Sequence, residues 1–74
     1  MSESVYKIVE LVGTSKNSWE EAAANAVETA SKTLIDLRVA EVTKLDMKIE
    51  DGKIVTYRAR ITLSIKYDQD LINW

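Results

Sequence analysis

Neither cysteine nor histidine occurs in this 74-residue chain. The first absence removes disulfides, thiolate metal sites and a nucleophilic thiol, and the second removes imidazole ligands and the commonest general base. An active site would need paired carboxylates, lysine or tyrosine in a defined cleft. No such constellation stands out, so the chain reads as a binding protein and not an enzyme. Long apolar runs are missing too: nothing approaches the roughly 20 residues that cross a bilayer. With no charged-then-apolar leader and no lipidation signal, a cytoplasmic location without a membrane partner is expected. Ten basic and twelve acidic residues leave a net charge of −2, and no basic run interleaves with aromatics. Nucleic acid is therefore not an expected partner.

What remains is one domain over residues 1–74, with a core at about 4–67 and a tail at 68–74. A chain this small buries only about 60% of its unfolded surface and usually needs a staple. With the disulfide, thiolate and imidazole routes gone, self-association is the staple left. The segment Ile54 to Tyr67 points the same way. Val55, Tyr57, Ala59, Ile61, Leu63, Ile65 and Tyr67 alternate with Thr56, Arg58, Arg60, Thr62, Ser64 and Lys66, the pattern of a half-buried strand. Such a strand runs roughly 45 Å, whereas a compact globule of this length is only about 30 Å across. Its overhang is expected to pair with another copy, with Ile65 part of the assembly element.

The first strand reads as Val5 to Val12, apolar on both faces as if covered on each side. Gly13 is expected to break it. Thr14 to Asn17 then connect to a capping box of Ser18 and Glu21. Trp19, Ala22, Ala23, Ala26, Val27, Ala30, Leu34 and Leu37 recur at three- and four-residue spacing, which predicts one amphipathic helix. A second strand follows over Arg38 to Glu50, and Asp51-Gly52 suits a two-residue type I′ turn. Continuing from Glu50 opposite Lys53, the register places Ile49 with Ile54, Leu45 with Arg58, Glu41 with Thr62 and Val39 with Ser64. Ala40 and Val42 then share the helix side with Ile61 and Leu63, while Leu45, Met47 and Ile49 turn to the opposite face. Contact with neighbouring subunits is the favoured cause of that switch; a bulge near Thr43 is the other. A right-handed crossover gives an α+β, β-α-β-β subunit: a three-stranded antiparallel sheet of order 1-3-2 on one helix.

The succession of a strand, Val12-Gly13-Thr14-Ser15, an amphipathic helix, Arg38-Val39-Ala40-Glu41-Val42 and a long hairpin resembles the dodecin family. That resemblance implies a hollow homododecamer binding a small-molecule ligand at subunit contacts. The family ligand is flavin, riboflavin or FMN, stacked on a tryptophan and hydrogen-bonded by a glutamine. Val39 stands at the tryptophan position and Arg58 at the glutamine position. A flavin site lacking both is expected to be weak, because stacking adds about 0.5–1.5 kcal/mol per pair and the amide contact a similar amount. Valine here together with Asp46-Met47 and Tyr57-Arg58 looks closer to the branch described as calcium-binding. The alternative ligand is therefore calcium or an anionic metabolite held through Arg58.

The ligand-binding candidates are Arg38, Val39, Glu41, Leu45 and Arg58. Each also has a plainer reading. Arg58 and Arg60 suit a polar sheet face carrying cross-strand pairs, and Glu41, diagonal to Arg60, suits an ion pair with it. Trp19 reads as a core anchor. Asp46, Glu50, Asp51, Asp68 and Asp70 are hard oxygen donors, yet no EF-hand loop accompanies them, so solvated carboxylates are the default. Trp74 reads as a tail residue.

Overall fold

The computed structural model describes residues 4–67. It contains β1 (Val5–Ser15), α1 (Trp19–Ala30), β2 (Leu37–Glu50) and β3 (Lys53–Tyr67). The strands form one antiparallel sheet ordered β1-β3-β2, so the expected β-α-β-β topology is the observed one. The readings for Asp68, Asp70 and Trp74 lie outside the described residues. Among the described residues, no helix is long and apolar enough to cross a membrane.

Burial explains why β3 is central. Its Ala59, Ile61, Leu63 and Ile65 alternate onto one face and are buried, as are Ala22, Ala26 and Ala30 of α1, with Ile61 and Leu63 packed on Ala26 and Ala30. Leu11, Ala23, Val27, Leu34 and Leu37 close around that cluster. Each fully buried isoleucine or leucine contributes about 1.5–3 kcal/mol, and the small helix residues let the two layers approach. Gly13 serves the same approach: a Cβ there would overlap the backbone carbonyl of Ala22 and crowd Ala26. It does not break the strand, which pairs with β3 through Gly13 to Ser15. Nor is β1 covered on both sides, since Tyr6, Ile8 and Val12 are exposed in a single chain.

The helix starts where the cap predicts but ends early. Ser18 Oγ accepts from the Glu21 N–H at 3.0 Å, while the Glu21 carboxylate does not return to the cap. It accepts instead from Ser15 Oγ at 2.8 Å and Asn17 Nδ2 at 2.6 Å. After Ala30 the chain tightens through Lys32 N–H to Thr29 O and Thr33 N–H to Ala30 O, each spanning three residues. Asp36 then adopts a positive φ of 58° and β2 begins at Leu37. Leu34 and Leu37 therefore leave the helix while still packing on the core.

At the hairpin, Asp51 and Gly52 have φ values of 51° and 76°, as a type I′ turn needs. Register holds at Glu50 with Lys53 and Ile49 with Ile54, then shifts between Lys48 and Ile49 and back between Val42 and Lys44. Between these irregularities every pair is displaced by one residue. Leu45 thus faces Ala59, and Asp46 faces Arg58, whereas Glu41 with Thr62 and Val39 with Ser64 are as expected. The irregularity at Thr43, whose Oγ1 donates to Arg60 O at 3.2 Å, accounts for the apparent face switch. Leu45 and Met47 stand opposite Ala59 and Tyr57, on the helix side with Ala40 and Val42.

Candidate ligand-binding face

The face of the sheet turned away from α1 is built in rows read across β1, β3 and β2. Ile8, Ser64 and Val39 form one row, followed by Glu10, Thr62 and Glu41, then Val12, Arg60 and Lys44, then Thr14, Arg58 and Asp46. Strand alternation therefore gathers apolar groups at one end and charged groups at the other. Val39 is 59% exposed and offers a flat aliphatic patch beside Ser64.

Arg58 is engaged at two points. Its Nε donates to Asp46 Oδ1 at 2.7 Å and its Nη2 to Oδ2 at 2.8 Å, a planar fork on a planar carboxylate. These hydrogen bonds hold the Asp46 carboxyl below the ordinary aspartate range, with Arg60 and Lys44 adding attraction. They also hold the Arg58 guanidinium more firmly protonated. From the other side of the sheet, Trp19 Nε1 donates to the backbone carbonyl of Asp46 at 2.9 Å. The indole meets Tyr57 edge-on, with ring centroids 5.2 Å apart and planes at 74°. Trp19 is half-buried and ties the start of α1 to the hairpin, a more specific task than filling the core.

The sequence candidates separate accordingly. Val39, Glu41 and Arg58 share the open face; Leu45 does not, since it stands with Ala59 on the helix side. Arg38 is the extra residue between Leu37 and Val39, and its Nη2 lies 4.0 Å from Asp36 Oδ1. Val39 and Arg58 do not meet within one copy. The row of Val39 is that of Ser64, six residues along β3 from Arg58, which is about 20 Å at strand rise. A pocket that uses both must draw them from different copies. Arg60 pairs with Glu10 of β1 at 3.8 Å and not with Glu41. The reason lies in the row, where Lys44 already places a cation on the β2 side of Arg60. Among the described residues Glu41 has no cation partner, and no group of three carboxylates within one chain is arranged to hold a metal ion.

Asp46 is the residue that sequence reasoning missed as a partner of Arg58. The signal was the alternation itself, which fails between Val42 and Lys44 unless one residue is extra.

Comparison with known proteins agrees with this architecture. The Dodecin family model matches residues 5–68. The calcium dodecin of Mycobacterium tuberculosis is 44% identical over 63 residues, spanning 85% of this chain and 89% of that protein. A crystal structure described as the calcium-chelating immunodominant antigen, calcium dodecin, from the same organism, with a novel calcium-binding site, superposes with a TM-score of 0.77. It is 47% identical and covers 88% of this chain and 93% of that one. Dodecin from Streptomyces coelicolor gives a TM-score of 0.85 at 37% identity, covering 92% of this chain and 97% of that one.

Proposed function

The chain belongs to the dodecin family, and from that premise we propose that it is a homo-oligomeric small-ligand-binding protein that holds calcium in preference to flavin and performs no turnover. The observation that carries this reading is the Asp46–Arg58 fork on the open face. At the position where the family resemblance calls for a neutral amide toward the flavin ring, this chain has a guanidinium whose Nε and one Nη2 donor are directed to Asp46. Val39, at the stacking position, has no π-face to offer. Flavin would gain little from either.

Calcium suits the donor chemistry better. With no cysteine or histidine, the available ligands are oxygens, which a hard cation prefers. Of the carboxylates on the open face, Asp46 is bound to Arg58 and Glu10 lies beside Arg60, which leaves Glu41 for a cation. One copy lacks a three-carboxylate group among the described residues, so the site is completed by oxygens from further copies. Calcium there would add charge-neutralising cross-links between copies. The resemblance of this chain to a relative named calcium dodecin supports the reading.

The test is calcium titration by calorimetry on the assembled protein, with riboflavin and FMN titrations by fluorescence quenching in the same buffer. Calcium binding that weakens in Glu41→Gln, with little flavin quenching, is the expected result. Saturable flavin quenching at micromolar concentration or below, without calcium binding, would reverse the assignment.

A further inference from the structure

Asp46 is gripped from both sides of the sheet, by Trp19 on its backbone carbonyl and by Arg58 on both carboxylate oxygens. Its surroundings are cationic. Lys44 faces Arg60 in the row next to the Asp46–Arg58 row, so three cations border one carboxylate. Arg60 has a second anion in Glu10, but at 3.8 Å that contact is looser than the Asp46–Arg58 fork. A carboxylate seated squarely on a guanidinium, with two further cations beside it, has the geometry that a ligand carboxylate or phosphate would adopt. The side chain stands where such a ligand would sit. The pair is half-exposed, so its displacement meets no buried barrier.

We propose that Lys44, Arg58 and Arg60 form a binding site for a carboxylate or phosphate group on the open face, and that Asp46 is its built-in occupant, displaced when an external anion binds. This goes beyond the calcium reading and uses a different set of side chains. Asp46 thereby sets the affinity threshold: it lowers the affinity for any anion by the strength of an exposed ion pair, a factor of about two to five. Trp19 acts as a positioning residue, because its indole N–H fixes the backbone that aims the carboxylate.

The experiment compares the assembled wild type, Asp46→Ala, and Asp46→Ala with Arg58→Gln, by calorimetric titration with pyrophosphate and, separately, citrate in calcium-free buffer. Alanine keeps the backbone carbonyl that Trp19 binds, so the local fold is retained, and size-exclusion chromatography verifies the assembly. The expected result is anion binding that tightens about two- to fivefold in Asp46→Ala, falls back when Arg58 is also replaced, and weakens as salt is raised. Preference for one probe distinguishes phosphate from carboxylate as the recognised group. Equal affinity in wild type and Asp46→Ala, a gain that survives loss of Arg58, or no anion binding by any form would overturn the proposal. Calcium titration of the same preparations separates the two readings: failure of calcium binding in the wild type sinks the proposed function alone. Loss of calcium binding in Asp46→Ala would show that carboxylate serving the metal and would end its assignment as the anion's stand-in.

Discussion

At Gly13 the missing side chain decides how closely α1 approaches β1. The backbone needs no positive φ there; the space for a Cβ is filled by the carbonyl of Ala22. Gly13→Ala is therefore expected to cost about 1–3 kcal/mol by overpacking, read as a lower urea midpoint with an unchanged m-value. From the sequence this glycine looked like a strand terminator, because a close approach between layers leaves no local pattern. Ser18, by contrast, was legible, since capping depends on neighbours in sequence. Only half of the capping box formed, because Ser15 and Asn17 offer Glu21 donors that compete with the cap. Those bonds, Asn17's foremost, hold the Glu21 carboxyl below its ordinary value of 4.5. A carboxylate with a lowered folded pKa adds stability that is complete above the unfolded value and lost as pH falls through the folded one. The wild type should then exceed Glu21→Gln in stability at neutral pH, with the gap closing below about pH 4.5. Urea unfolding of both proteins across that range measures the closure.

At the scale of elements, the hairpin shows what alternation can and cannot reveal. Turn type and both ends of the β2–β3 register were legible, since Asp51-Gly52 sets one end and apolar matching of Ala40 and Val42 with Leu63 and Ile61 sets the other. The middle was not. An extra residue on β3 near Val55 and another on β2 at Thr43 cancel, so the ends agree while the pairs between them slip by one. That slip brings Asp46 to Arg58 and takes Leu45 away, which means the charged centre of the candidate face was hidden by two compensating irregularities. The helix end was misread for a related reason: Leu34 and Leu37 keep helical spacing but reach the core from a turn and a strand start. Because the hairpin depends on its turn, Gly52→Val should be disruptive. A β-branched residue held at a φ of 76° costs about 1–2 kcal/mol, and the loss should appear as faster hydrogen exchange in residues 46–56 before the helix is affected.

The molecule as a whole is an elongated body of 53 × 20 × 16 Å with a radius of gyration of 15.0 Å, well beyond the ~11 Å of a compact chain this long. Strand length in the sequence predicted that excess, but not which end carries it. β1 pairs with β3 from Tyr57 to Tyr67, so the overhang is the turn end of the hairpin, and Ile65 lies within the core at 1% exposure. Ile65→Lys consequently tests folding: a lysine at this buried position should destabilise the subunit by more than about 3 kcal/mol. The surface left for assembly is elsewhere. Val42, Leu45, Met47, Ile49 and Ile54 are exposed along the hairpin arm, whose middle Trp19 of α1 reaches at Asp46, with Leu45 at 51% and Ile49 at 61%. A row of large apolar groups that a single copy does not cover is the surface expected to meet a second copy in the proposed homo-oligomer. Leu45→Lys removes apolar contact from that arm without entering the core, so far-UV circular dichroism and monomer fold should persist. Size-exclusion chromatography with light scattering should then show a smaller species than the wild type. An unchanged assembly would place the contact away from this arm and return Leu45 to the role of an exposed strand residue.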